Sequence, residues 1–116
     1  MKLYKVQYRL FKGVHEVRVW IYNATESDKV YSIPSECKRI FKNRIGKITD
    51  DITVNDQNRY GRVCWLTDIS LVDDIIRRMK IDGEKFVQDF EIRIKTLKQE
   101  QTAPINIVYK DESADN

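Results

Sequence analysis

Positively charged and aromatic side chains cluster near the start of the chain. Alternation along two neighbouring segments places them on one face of a predicted two-stranded hairpin. They are Lys5, Arg9, Phe11, Arg18, Trp20 and Tyr22, and we call this set the hairpin face. Rings stack on bases and cations neutralise phosphates, whereas exposed aromatics with arginine at the rim are typical of protein interfaces. The pattern therefore predicts a binding surface, with a solvated strand face as the ordinary alternative.

A second group of cations follows in the chain. Its members are Lys38, Arg39, Lys42, Arg44 and Lys47, and we call this set the basic cluster. No acid occurs between residues 37 and 47. Apolar residues recur at helical spacing in the same segment and predict a helix. They are Ile33, Cys37, Ile40, Phe41 and Ile45. The helix would begin near Pro34 and end at Gly46, with the cations on its other face as candidate phosphate contacts or as a solvated surface.

The remaining reactive residues form no catalytic arrangement in the sequence. The single histidine, His15, lies beside the predicted hairpin turn, and no nucleophile motif or phosphate-binding glycine loop occurs. Residues 89–95 follow the acid-x-acid-x-base pattern of metal nucleases, but alternating charge equally suits a solvated strand face. The acids around Asp50 and Asp51 lack the ordered spacing of a calcium loop. We therefore expect no enzyme activity, no cofactor and no metal site.

The hairpin that positions the first group consists of Leu3–Phe11 and Val14–Tyr22, joined by Lys12 and Gly13. A loop of this length needs a positive φ angle, which glycine adopts without a steric penalty. The resulting register opposes apolar residues on the face away from the cations. The opposed pairs are Tyr8 with Val17, Val6 with Val19 and Tyr4 with Ile21. This apolar face is the predicted core side of the hairpin.

Further elements follow from the same periodicities. Residues 52–54 and 60–66 predict two strands around a turn at 55–58, and apolar residues on both sides of 60–66 indicate a central, doubly covered strand. Ser70 is the predicted cap of a second helix, which ends at Asp82 and Gly83. Residues 84–97 suit either helix or strand, and we predict a strand from about Asp89. It would pair with Ile105–Tyr109 across Lys98–Pro104.

These elements predict an α+β fold with a mainly antiparallel sheet, in the order hairpin–helix–strand pair–helix–hairpin, and with both helices on one side. Residues 1–110 would form a single domain, and residues 111–116 a disordered acidic tail. The composition, with 41% apolar and 34% charged residues and a net charge of +3, is typical of a soluble protein. The absence of a secretion signal and two buried thiols, Cys37 and Cys64, predict a cytoplasmic location.

The functional hypothesis is a small non-catalytic module that binds a macromolecule and no membrane. A protein partner bound by the hairpin face is the first choice, as in adaptors or inhibitors of the phage or mobile-element type. The alternative is nucleic acid, bound by the hairpin face together with the basic cluster. An anionic small ligand or nucleotide is a third choice, and a homodimer is left open.

Overall fold

The computed structural model describes residues 1–11, 13–54 and 59–113, and for Phe11 it describes the backbone alone. The chain divides into two compact units, Met1–Phe86 and Val87–Asn116. The strands are β1 (Lys2–Phe11), β2 (Val14–Asn23), β3 (Thr25–Glu26), β4 (Val30–Ile33), β5 (Lys38–Phe41), β6 (Thr49–Asp50) and β7 (Tyr60–Leu66). The α-helix, α1, spans Val72–Thr102, and short 3-10 turns occur at Pro34–Glu36, Lys42–Arg44 and Ile69–Leu71. Antiparallel sheets with a helix make this an α+β fold, as predicted.

The register of the predicted hairpin is confirmed, and each strand is one residue longer than predicted at its outer end. Lys12 of the predicted loop lies outside the described residues. β1 and β2 are antiparallel, and Val6 opposes Val19 while Tyr8 opposes Val17. Gly13 has a φ of 74°, the positive value that a tight loop requires. β1 also pairs with β7, and β7 with β6, which gives a four-stranded sheet in the order β2-β1-β7-β6. The prediction of β7 as a central strand is therefore confirmed.

The predicted helix from Pro34 to Gly46 is wrong. Pro34 begins a 3-10 turn of three residues, and Cys37 ends it in the left-handed conformation with a φ of 51°. The chain then reverses, and β5 pairs with β4 in a separate three-stranded sheet, β3-β4-β5. Ile33 and Ile40 are buried there as strand residues, which explains the apolar recurrence without a helix. In the basic cluster, Lys38 and Arg39 consequently lie on a strand and Lys42 and Arg44 in the turn after it, while Lys47 follows that turn.

Two smaller predictions around this region are also corrected. Residues 52–54 form a turn instead of a strand, and the short strand is β6 immediately before them. Cys37 is exposed, although Cys64 is buried as predicted. The turn predicted at residues 55–58 lies outside the described residues.

One long helix replaces the predicted second helix and closing hairpin. Asp68 caps the 3-10 turn Ile69–Leu71 that leads directly into α1, and it accepts a 2.9 Å hydrogen bond from the Ser70 amide. The helix continues through Gly83 instead of ending there. A Cβ atom at Gly83 would lie 3.2 Å from the Tyr8 ring and 3.3 Å from the Tyr60 ring, so the glycine permits close packing. Residues 89–97 are helical, residues 105–109 form no strand, and the charges of residues 89–95 do not share a strand face.

The sheet of the first unit has apolar packing on both faces. On one face Val6, Tyr8 and Cys64 pack with the α1 residues Ile75 and Met79. On the other face Leu3 and Trp65 pack with Ile33 and Ile40 of the small sheet. No described helix combines the length and the apolar composition that crossing a membrane requires.

A basic cleft as the candidate functional site

A cleft of about 400 Å³ opens in the first unit between residues of β1, β5 and β7. Its walls combine cations, two carboxylates and a tryptophan. The lining residues are Lys5, Lys38, Arg39, Ile40, Arg44, Asp50, Asp51, Ile52, Thr53, Val63 and Trp65. We call it the basic cleft. It brings one residue of the hairpin face together with three residues of the basic cluster, which are far apart in the sequence.

The strand register explains this convergence. Lys5 on β1 lies opposite Trp65 on β7, and its ammonium group is 5.5 Å from the centroid of the Trp65 ring. Lys38 and Arg39 begin β5, and Arg44 lies in the 3-10 turn that follows it. Ile40 is buried against Leu3 and Trp65 and so holds β5 in place. The two residues before it, Lys38 and Arg39, therefore lie at the cleft.

The two carboxylates of the basic cleft already have partners. Asp50 forms a 2.9 Å ion pair with Arg62. Buried Asp51 accepts hydrogen bonds from Gln7 at 3.2 Å and from the Thr53 hydroxyl at 2.6 Å and amide at 3.1 Å. Neither acid forms a described salt bridge with a cation of the cleft, although the charge of Asp51 raises the pKa of Lys5.

Among the residues that the structure describes, no carboxylate forms a salt bridge with a cation of the basic cleft. Within the described parts of the chain, Lys5, Lys38, Arg39 and Arg44 form no salt bridge and donate no side-chain hydrogen bond. Burial lowers the pKa of Lys5, and the positive charge of Lys38 lowers it further, while Asp51 and Glu36 act in the opposite direction. The cleft thus concentrates positive charge that a bound anion would stabilise.

Replacing Lys38 with alanine should raise the pKa of Lys5, because it removes the repulsive charge. The pKa should stay below 10.5 since burial persists. NMR titration of the Lys5 side chain measures the shift, and Lys42→Ala is the control. Because the pKa of Lys5 is lowered in the folded state, its charged form destabilises the fold below that pKa, and this penalty disappears as pH rises from that value towards 10.5. An unchanged Lys5 pKa in the Lys38→Ala variant would show that the two ammonium groups are not neighbours.

The other members of the hairpin face do not line the cleft. Arg9 and Arg18 both form ion pairs with Glu16, the first at 3.7 Å. Tyr22 is half-buried and packs on Trp65 with a centroid separation of 5.9 Å. The side chain of Phe11 lies outside the described residues.

Trp20 is the exposed aromatic of the hairpin face, with 41% of its surface accessible. Its indole nitrogen donates a 2.6 Å hydrogen bond to Gln7, and Gln7 donates to Asp51 in the wall of the basic cleft. Lys5 stands between Trp20 on β2 and Trp65 on β7 in the strand register. An exposed ring is therefore held beside the cationic walls.

The remaining members of the basic cluster differ from those in the cleft. Lys42 forms a 2.6 Å ion pair with Glu26 and lies over the Tyr31 ring at 5.3 Å. The Glu26 hydrogen bond is the main reason that the pKa of Lys42 is raised. Lys47 does not line the cleft.

Sequence reasoning missed Gln7, Asp51 and Trp65 as parts of the site. The sequence predicts Trp65 in a doubly covered strand, and it favours Asp50 and Asp51 as turn residues. Only the pairing of β1 with β7 reveals that these residues meet Lys5, and no local motif signals that pairing.

The other candidate groups lie apart from the cleft. His15 shares a 2.5 Å hydrogen bond with the buried Tyr8 hydroxyl. Among the residues that the structure describes, no three His, Cys, Asp or Glu side chains are grouped so that they could hold a metal ion. Comparison of the chain with protein-family models, with curated proteins and with solved structures gave no match.

Proposed function

We propose that this chain is a non-catalytic module that binds single-stranded nucleic acid through the basic cleft. The observation that carries the proposal is the convergence of Lys5, Lys38, Arg39 and Arg44 around a cleft in which cations outnumber carboxylates. Of its two acids, Asp50 is paired with Arg62, and Asp51 accepts hydrogen bonds from Gln7 and Thr53. Uncompensated cations in a concave site attract phosphates, and their neutralisation releases counterions from the nucleic acid.

The exposed ring beside the cleft favours a single strand over a duplex. Base–aromatic stacking requires an unpaired base, and Trp20 presents its ring one strand away from Lys5. The hydrogen bond to Gln7 fixes the indole orientation before a ligand arrives. Stacking on Trp20 and phosphate contact in the basic cleft would then bind neighbouring parts of one strand.

The protein-binding hypothesis retains support from the same tryptophan. Tryptophan is enriched among residues that dominate protein interfaces. The surrounding hairpin face is less favourable, because Arg18 is paired with Glu16 and Tyr22 is half-buried. We therefore place protein second, and we propose a cytoplasmic location on the basis of the two free thiols.

The proposal is tested by measuring affinity for a fluorescently labelled single-stranded oligonucleotide, as DNA and as RNA, across a series of salt concentrations. Lys38→Ala should weaken binding and reduce the slope of log affinity against log salt by about 0.7, the value for one phosphate of a single strand. Lys42→Ala is the matched control because that lysine is paired with Glu26. It should leave the slope almost unchanged.

Three outcomes would count against nucleic acid. One is the absence of salt-dependent binding by the wild-type protein. Another is an equal loss in the Lys38→Ala and Lys42→Ala variants, which would indicate a general effect of net charge. The third is binding that tightens for duplex over single strand, which would exclude stacking on Trp20.

A further inference from the structure

The second unit exposes apolar side chains on one face of α1. Val87, Phe90, Ile94 and Leu97 recur at spacings of three and four residues, which align on a single helix face. Val87, Ile94 and Leu97 are exposed and Phe90 is half-buried. We call these four residues the apolar stripe. A shallow depression of about 360 Å³ beside Phe90 and Ile94 shows that the surface can receive another side chain.

Charged residues flank the apolar stripe in a fixed order. On one flank Glu91 precedes Lys95, and on the other flank Asp89 precedes Arg93. The acids lie nearer the helix N-terminus and the bases nearer its C-terminus on both flanks. Within the described residues none of these four side chains forms a salt bridge, although Arg93 lies over the Phe90 ring at 5.6 Å.

We propose that α1 of the second unit pairs antiparallel with the same helix of a second copy of this chain. A two-fold axis at the level of residue 92 would bring Phe90 level with Ile94 of the second copy, and Val87 level with Leu97. Every member of the apolar stripe then meets another apolar residue. This is an isologous contact, in which one patch is complementary to itself.

The flanking charges identify a second copy of this chain as the partner that fits the apolar stripe. In an antiparallel pair related by a two-fold axis, each flank faces the same flank of the other copy. Glu91 therefore faces Lys95, and Asp89 faces Arg93, and each of these pairs occurs twice across the axis. They outnumber the like-charged pairs at the same offset, which are Glu91 with its own copy and Arg93 with its own copy. Each acid and its opposed base are offset along the axis by two residues, or about 3 Å at about 1.5 Å per residue, which long side chains can span.

A parallel pair would not produce this match. With the helices in register, each flank would face the other flank of the second copy. Glu91 would lie midway between Asp89 and Arg93, and Lys95 would lie close to Arg93, so repulsive pairs would outnumber attractive ones. The order of acids before bases is thus self-complementary in the antiparallel sense alone.

Sedimentation equilibrium across a wide range of protein concentrations tests the proposal. The wild-type mass should rise from 13.8 kDa towards twice that value as concentration increases. Ile94→Glu should keep the chain monomeric. Ile92→Glu is the matched control, because Ile92 is exposed but lies outside the apolar stripe, and it should dimerise as the wild type does. Circular dichroism verifies that all variants keep their helix content.

A charge-reversal mixture tests the orientation. Glu91→Lys and Lys95→Glu should each be monomeric alone, because each creates like-charged opposed pairs. An equimolar mixture should associate, since every opposed pair on the flank of Glu91 and Lys95 is then of opposite sign. Both variants carry like charges within their own helix, so recovery in the mixture cannot arise from helix stability.

The proposal is overturned by a wild-type protein that stays monomeric, by equal dissociation in the Ile92→Glu and Ile94→Glu variants, or by a mixture that fails to associate. Binding to nucleic acid through the basic cleft does not depend on this pairing, and neither result decides the other.

Discussion

Replacing Val6 with alanine should lower the free energy of unfolding by about 2–3 kcal/mol, whereas the same change at Val19 should cost under about 1 kcal/mol. The two valines face each other across β1 and β2 on the same side of the sheet. Val6 has no accessible surface and belongs to the core under α1, while Val19 is 40% exposed. Burial is therefore the difference between the two substitutions.

Urea denaturation of both variants, followed by tryptophan fluorescence, measures these free energies. The comparison is controlled internally because the residue type, the secondary structure and the atoms removed are identical. Equal losses at the two positions would mean that α1 or another element covers β2 as fully as β1, contrary to the structure.

The contrast also shows what alternation can and cannot predict. Alternation correctly paired Val6 with Val19 and placed both on the apolar face, since a one-residue slip would have opposed apolar to charged side chains. It could not reveal that β2 is the edge strand of the sheet. Edge position depends on long-range pairing of β1 with β7, which the two segments do not encode locally.

The errors in the helical regions have a different physical origin. Residues 33–45 have an apolar recurrence that fits both a helix and two strands around a turn, and the left-handed Cys37 decides between them. A positive φ at a cysteine is unusual and is not predictable from residue type. At residues 84–97, helical spacing and alternation competed, and the uninterrupted helix from Val72 favoured the former.

The cationic residues of the candidate site could be predicted from the sequence, but their arrangement around one cleft could not. Lys5 from the hairpin face and the cations Lys38, Arg39 and Arg44 were all selected from charge and spacing. The sequence placed them in two separate surfaces, one on a strand and one on a helix. Because this segment forms β5 and a turn instead of the predicted helix, the four cations meet at one cleft.

Reversing three charges of the basic cleft should produce the largest functional effect. In the variant Lys38→Glu/Arg39→Glu/Arg44→Glu we expect the affinity for a single-stranded oligonucleotide to fall at least about 100-fold at low salt. Each lost charge-assisted phosphate contact is worth about 1.5 kcal/mol, and the introduced carboxylates repel phosphate as well. The fold should survive because all three side chains are exposed and none belongs to an apolar core.

The matched control is Lys80→Glu/Lys85→Glu/Lys110→Glu, which changes the net charge equally and alters exposed lysines away from the cleft. Fluorescence anisotropy at fixed salt should show near wild-type affinity for this control, apart from a modest loss through the long-range field. Similar losses in both triple variants would mean that total charge, and not the cleft, determines the affinity for the oligonucleotide.

A folded cleft variant that retained full affinity would show that the binding surface lies elsewhere on the protein. The Trp20→Ala variant would then distinguish a stacked nucleic-acid strand from a protein partner. If a nucleic-acid strand stacks on Trp20, the Trp20→Ala variant should lose about 1–3 kcal/mol of binding free energy, and its remaining binding should still depend on salt. If Trp20 is the centre of a protein interface, the variant should lose at least about 2 kcal/mol, and salt should have little effect on binding.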